Sequence, residues 1–537
     1  MTGGTGDGRY DVFLSLGGND RDQGRRLTAR LREQGLRVFV DEDDIGYFGG
    51  ITVQIEQALR SSKTFVVYYS RTYPERPSCQ LELTAAFLAG QAEGDPIGRI
   101  LVINPEPDED HLFPAELSDA RYMSASLALS DQVRLICDRV AVVDGVIGDV
   151  RLRRRPRHNY GRIAGAVGFV GRYREQWAIH SALFAADLPL SQEKSSGPVV
   201  CVAGLPGVGK TSLVSAYAWN FGAAFDGGVY WTHLAGSESE VLAGYDRQLL
   251  DIAQFLGLDV GAGNRHRVLG AIVDHLGTQE GSTLWVVDDV PSDLDPSTVH
   301  DLVLPAGPGV HTVLISDQRR LSGLVPLVEI GGLTSFDAAV LLERLRPARG
   351  TDERLARDRI LELVSGHAGV LADIGRVLRD GYGIISYEQV LTRLANVMDM
   401  MAVDDVLRST IAELTAPQRV VLQLALLLNG APVPASMVAT AVERLGLVDQ
   451  RHDPALAAAI ALSGLRDRFL AERIDAAWSV HPLVLRVARR HLDEPVDALE
   501  GVAAEVSHPS IAAGIPVRRR ARPVPRHRQI CTAGPLR

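Results

Sequence analysis

Short unbroken apolar runs alternate along this chain with stretches whose apolar residues recur every three or four positions. That alternation predicts parallel strands covered by helices. Tyr10 to Leu16 predicts a strand, Gly17-Gly18-Asn19-Asp20 a turn, and residues 21–34 a helix with Leu27 and Leu31 on one face. The cycle repeats with a strand at Leu36 to Val40, an acidic glycine-bearing loop at Asp41 to Gly50, and a helix at Ile51 to Ser61 with Ile51, Ile55 and Leu59 one turn apart. Thr64 to Tyr69, Ser78 to Gly90, Arg99 to Asn104 and Ala125 to Val140 then predict a strand, a helix, a strand and a last helix. Such β-α alternation implies a parallel sheet with helices on both faces.

A second α/β unit is announced by the stretch from Pro198 to Trp219, in which a buried strand runs into a glycine loop and a helix. Gly204, Gly209, Lys210 and Thr211 fit the pattern G-x-x-x-x-G-K-[ST], with Gly207 inside the loop and Ser212 just after it. In such a loop backbone N–H groups curl around phosphate oxygens, the following helix aims its N-terminus at them, the lysine adds charge, and the hydroxyl holds Mg²⁺. With only three lysines in the chain (Lys63, Lys194 and Lys210), a chance match is expected on the order of a few times in a thousand. Thr283 to Val287 followed by Asp288 and Asp289 supplies the second element such a site needs. A buried parallel strand delivers its last residues beside the loop, where Asp288 can order Mg²⁺ with Thr211 and Asp289 can polarise water.

Composition narrows the remaining classes. At 537 residues the chain exceeds one core and predicts three or four domains. No apolar run reaches the ~18 residues of a membrane span, and the first residues lack a signal-peptide pattern, so a cytoplasmic protein is expected. Cys79, Cys137, Cys201 and Cys531 form neither a metal-spaced set nor a disulfide framework. A net charge of −10 argues against wholesale nucleic-acid binding, although Arg151 to Arg157 and Arg518 to Arg528 are basic patches.

Tyr10-Asp-Val-Phe-Leu-Ser with Gly17 to Asp20, Val38-Phe39-Val40-Asp41 before a glycine loop, and Ser78-Cys79-Gln80-Leu81-Glu82-Leu83 resemble a TIR domain over residues 9–142. The resemblance implies a flavodoxin-like fold, assembly through the loop after the second strand, and cleavage of NAD⁺ with Glu82 as the catalytic carboxylate. Phe13, Ser15 and Gly17 would form the opposite wall of the NAD⁺ site. Ser78 stands where plant relatives often carry tryptophan. Taken alone, Glu82 is a first-turn carboxylate favoured by the helix dipole.

Phe169-Val170-Gly171-Arg172, the glycine loop, Asp288-Asp289 and Val313 to Ser316 are similar to the NB-ARC and related STAND ATPases. This resemblance implies a switch between ADP and ATP with Mg²⁺, a nucleotide contact from Arg172, and a histidine on the ADP β-phosphate, which falls on His481. Taken alone, His481 is an ordinary helix-start histidine. Two positions depart from the family. Asp317-Gln318 stand where a sensor arginine is expected, leaving Arg319 or Arg320 to serve, and Gly369 replaces a proline that stacks near adenine.

The predicted division is a disordered start (1–8), the TIR domain (9–142), a linker (143–167), a P-loop domain (168–330), a helical module (331–400), a winged-helix module (401–490) and a basic disordered tail (491–537). The winged-helix module lacks a basic recognition helix, which argues against DNA binding by it. Two functions remain open. One is a nucleotide-switched signalling enzyme of defence or cell death that self-associates through its TIR and nucleotide-binding domains and consumes NAD⁺. The other is a non-enzymatic TIR adaptor or regulator with an ATPase switch. In the first reading, exchange of ADP for ATP releases the TIR domain and lets chains associate, on a trigger or sensor partner the sequence does not identify.

Overall fold

Alternate residues of the first strand serve opposite faces of a sheet, and this sets the N-terminal architecture. The elements are β1 (Tyr10–Leu16), α1 (Arg21–Glu33), β2 (Val38–Val40), α2 (Ile51–Arg60), β3 (Ser62–Tyr68), α3 (Pro77–Ala92), β4 (Ile100–Asn104), α4 (Ala115–Asp119), β5 (Met123–Ser124) and α5 (Leu129–Val142). Five parallel strands run in the order β2-β1-β3-β4-β5. Val12 and Leu14 pack with Leu27 and Leu31 of α1 and with Val133 and Ile136 of α5. Phe13 faces the other way, into the cluster holding Ile55 and Leu59 of α2 and Leu83 of α3. The last helix begins at Leu129 rather than Ala125, because Met123 and Ser124 pair with β4 as a short edge strand.

The computed structural model describes residues 10–40, 51–124, 126–148, 158, 168–184, 199–234, 238–261, 264–279, 281–291, 294, 298–299, 309–323, 325–380, 385–395, 402–448, 453–492 and 497–507. The predicted loop 41–50, most of the linker and the arginine-rich end lie outside them.

After α6 (Tyr173–Phe184) a second parallel sheet is built from β6 (Val199–Gly204), β7 (Gly228–His233), β8 (Thr283–Val290), β9 (Val310–Ser316) and β10 (Leu327–Ile330), in the order β10-β6-β9-β8-β7. Its helices are α7 (Lys210–Asn220), α8 (Glu238–Phe255) and α9 (Arg265–Gly277). The strands are buried on both faces, which is why they read as unbroken apolar runs. Four helices follow, α10 (Ser335–Glu343), α11 (Gly350–Val364), α12 (Ala368–Asp380) and α13 (Tyr387–Ala395). Then α14 (Ala402–Ala412), α15 (Ala416–Leu427), α16 (Ala435–Arg444), α17 (Pro454–Asp467) and α18 (Pro482–His491) surround a small sheet ordered β11 (Val433–Pro434), β13 (Ala477–Val480), β12 (Ala471–Ile474). Part of the expected disordered tail is instead helix α19 (Asp497–Ser507), because Leu499, Val502 and Ala503 recur on one side and are buried. Among the described residues, no helix is long and apolar enough to cross a membrane.

The helix carrying Glu82 has no polar face. Gln80, Glu82, Leu83, Ala86, Phe87 and Gly90 of α3 are all buried, since one side lies on the N-terminal sheet and the other meets α6 of the second unit. Trp177 of α6 stands edge-on to Phe87 at 5.0 Å and to Phe221 at 4.9 Å, and its Nε1–H donates to Gln80 Oε1 at 3.0 Å. His180 is gripped from both sides, with Nε2 2.8 Å from Gln91 Oε1 on α3 and Nδ1 3.0 Å from the Tyr217 hydroxyl on α7. Burial pushes its pKa down to about 3, so the ring is neutral and can donate at one nitrogen and accept at the other. Trp177→Ala should therefore lower stability by about 3–5 kcal/mol, as other buried aromatic truncations do. Thermal or denaturant unfolding read by circular dichroism checks this, and an unchanged first transition would mean the seam contributes nothing.

Candidate functional sites

Two sites form at the carboxyl edges of the two parallel sheets, where open α/β folds leave crevices. In the first, β1 brings Ser15 to the edge and the second turn of α3 brings Glu82, which is not the first-turn carboxylate expected from sequence because the helix already starts at Pro77. Ser15 Oγ donates to Glu82 Oε2 at 2.6 Å and lies 2.8 Å from the Tyr73 hydroxyl, which also reaches the Cys79 carbonyl at 3.1 Å. Glu82 is only 4% exposed and Tyr73 is fully buried. Burial raises the Tyr73 phenol far above its ordinary range, so it stays a neutral hydrogen-bonding group.

Phe13 does not stand in the wall predicted for it. Its ring stacks between Phe39 at 5.0 Å and Phe65 at 5.6 Å inside the core, since it precedes Ser15 on the same face and sits deeper under α3. Gly17 lies at the edge with ordinary negative φ, and what it supplies is closeness, because an added Cβ would stand 3.2 Å from Asp20 Oδ2. Asp20 was read only as part of a turn. It accepts from Ser70 Oγ at 2.6 Å, and burial holds its carboxyl above the usual range. Residues 41–50, expected to close this site, lie outside the described residues.

The second site surrounds the glycine loop between β6 and α7. Gly207 and Gly209 take φ of +73° and +103°, a backbone region costly for other residues, and Gly204 lies so near Ile330 that a Cβ would stand 2.5 Å from its carbonyl oxygen. Lys210 is buried, with Nζ donating to the Gly204 and Leu205 carbonyls at 3.0 and 3.2 Å. Burial lowers its pKa, opposed by Asp317, Asp289 and Asp288. Thr211 Oγ1 donates to Asp288 Oδ1 at 3.1 Å, and Trp231 Nε1–H donates to Asp288 Oδ2 at 3.3 Å. Burial, then Asp289, raises the Asp288 carboxyl. Asp289 has φ +54° and turns outward, 3.6 Å from His233 Nδ1.

This donor set fits a nucleoside phosphate with a divalent cation. Thr211 and Asp288 present a hydroxyl and a carboxylate side by side, an all-oxygen pair of the kind Mg²⁺ prefers. An open cavity of about 940 Å³ is lined by Gly207, Gly209, Lys210, Thr211 and Ser212 of the loop and helix start and, from other elements, by Asp289, Asp317, Glu413 and Arg468 among others.

The other predicted nucleotide residues are distributed differently. Arg172, at φ +55°, donates through Nη2 to the Val208 carbonyl at 3.1 Å and the Gly331 carbonyl at 2.8 Å, tying the loop to the end of β10. His481 caps α18, with Nδ1 accepting from the Leu483 amide at 3.2 Å. It lines a separate cavity of about 320 Å³ with His367, Leu205 and Val208, so the loop divides it from the cavity of Lys210 and Thr211. Burial pushes both histidines down to about 4. Gly369 has a role proline could not fill, since its N–H donates to the Gly207 carbonyl at 3.0 Å. Arg319 does not face the phosphate cavity; it pairs with both oxygens of Glu329 at 2.7 Å and lies 4.0 Å over the Phe469 ring.

Residues 12–134 match the family model for the TIR domain, so the N-terminal unit is a TIR domain. No curated protein matches the chain. Among solved structures, a Walker-type ATPase of Pyrococcus abyssi is 14% identical, covering 59% of this chain and 94% of that one, with a TM-score of 0.41. A signal transduction ATPase with numerous domains and a tetratricopeptide repeat sensor, from Pyrococcus horikoshii, is 18% identical over 64% of this chain, with a TM-score of 0.28; the chain spans 46% of that protein. The TIR domain of a Toll-related receptor from Hydra magnipapillata is 21% identical, covering 24% of this chain and 93% of that one, with a TM-score of 0.19.

Proposed function

We propose that this chain is a nucleotide-switched signalling protein of the STAND type. Its P-loop unit holds ADP or ATP with Mg²⁺, and its TIR domain, once chains assemble, hydrolyses NAD⁺ to nicotinamide and an ADP-ribose product in a defence or cell-death response. The observation that carries the enzymatic part is Glu82, a carboxylate at the sheet edge oriented by a 2.6 Å hydrogen bond from Ser15. Cleaving the nicotinamide–ribose bond develops positive charge on the ribose carbon, while nicotinamide leaves as a neutral molecule. A fixed carboxylate stabilises that cation and orients the attacking water, as in glycoside hydrolysis. Ser15, itself held by Tyr73, fixes the carboxylate in one orientation, and holding it costs the reaction nothing at the moment charge develops.

The nucleotide part rests on Lys210 and Thr211 lining one cavity, with Asp288 bonded to Thr211 beside it. A nucleotide shifts the chain between states only by its differential affinity for them. Nicotinamide release by the full chain with NAD⁺, measured with and without ATP at concentrations where light scattering demonstrates assembly, tests the reading. Release that rises with ATP supports it. No release from demonstrably assembled protein would leave the non-enzymatic TIR adaptor as the function.

A further inference from the structure

We infer that Arg468, supplied by the end of α17, binds the terminal phosphate of a nucleoside triphosphate from outside the glycine loop and so distinguishes ATP from ADP. The inference rests on the reading that the glycine loop holds such a nucleotide. The strand end where a sensor arginine was expected carries Asp317, and the two arginines left to serve do not line the phosphate cavity. Among the described residues lining that cavity, the cations are Lys210, on the loop, and Arg468, at the end of α17. Asp289, Asp317 and Glu413 line it as well. An anion with three phosphates entering among three carboxylates depends on every cation present, and the one outside the loop is left for the phosphate farthest from it.

Arg319 holds Arg468 in place rather than replacing it. Its backbone N–H donates to the Asp467 carbonyl at 2.8 Å, and its Nη1 donates to the Arg466 carbonyl at 2.5 Å. Both acceptors belong to the last turn of α17, immediately before Arg468. The clamp is anchored by the Glu329 pair and the Phe469 ring, so the end of β9 fixes where the guanidinium starts. Arg468 itself is paired only with an exposed partner, an ion pair cheap to exchange: its Nη1 is 3.3 Å from Glu413 Oε2, and Glu413 is 61% exposed. Asp317, half-buried at the cavity, feels the charge of both Lys210 and Arg468. A phosphate between the two cations would take over the part that this carboxylate plays without it.

The test is titration of the full-length chain, stripped of bound nucleotide, with ATP and with ADP in the presence of Mg²⁺, followed by calorimetry. Arg468→Ala should weaken ATP by about tenfold to a hundredfold, the range for losing a charge-assisted hydrogen bond, and leave ADP within about twofold. Arg468→Lys should recover part of the ATP affinity, because it keeps the charge without the fork. Equal weakening of both nucleotides by Arg468→Ala, or no change in either, overturns the inference while leaving the nucleotide reading intact. If the parent chain binds neither nucleotide, the nucleotide reading fails and this inference falls with it.

Discussion

Glu82→Ala is expected to reduce nicotinamide release by the assembled chain by about a thousandfold or more, the scale at which removing a group aimed at developing charge is felt. Ser15 donates to the carboxylate and is itself held by Tyr73. Truncation leaves Ser15 able to turn its hydroxyl to Tyr73, 2.8 Å away, so that donor keeps a partner and the fold should survive. Glu82→Gln keeps shape and loses charge, and it should fail almost as completely. Ser15→Ala, which removes only the orienting donor, should cost far less, about tenfold to a hundredfold. Rates of nicotinamide release are compared on protein whose assembly and circular dichroism match the parent. Equal release by Glu82→Ala and the parent would remove Glu82 from the chemistry.

The second large effect is at Lys210. Lys210→Ala takes the buried ammonium from beside Asp288, Asp289 and Asp317 and removes its hydrogen bonds to the Gly204 and Leu205 carbonyls. An incoming polyphosphate then meets the carboxylates with one cation fewer, at short range and in a partly desolvated cavity where charge is poorly screened. Loss of nucleotide retention by at least about a hundredfold is expected. Nucleotide extracted from the purified parent and variant, separated and quantified, gives the answer. If the variant carries as much ADP or ATP as the parent, the loop does not hold the phosphates.

Much of the scaffold for both sites could be read from residue order. β1, β6 and β8 are buried parallel strands, so their apolar runs are unbroken, and the glycines at 207 and 209 occur where φ is positive. Local pattern was blind to what depends on contacts between distant segments. Gln80 and Gln91 look like solvent-facing helix residues, yet they bond to Trp177 and His180, which lie nearly a hundred residues further on. Phe13 was placed at the site because it belongs to the right strand, but depth along the strand, which alternation does not encode, puts it beneath. Arg468 gave no signal at all, since an arginine at a helix C-terminus is explained by the dipole alone.

The grip on His180 alters what activation can mean. The helix that starts with Lys210 and the helix that carries Glu82 hold the same imidazole, so any shift of the first is delivered to the second with no slack between them. Prying them apart would wet at least Phe87 and Trp177, at about 1.5–3 kcal/mol each. A nucleotide's coupling free energy is typically only about 1–3 kcal/mol. If exchange of ADP for ATP acts with a coupling of that size, this seam stays closed through it and the release expected from the sequence does not occur. On the far side, the loop and the segment after β9 meet the units that follow through hydrogen bonds such as Gly369 to Gly207 and Arg319 to Asp467. The TIR domain then travels as cargo fastened to the nucleotide-binding unit. The spacing and angle between TIR domains in any assembly would be dictated by how the P-loop units stack, not by a tether.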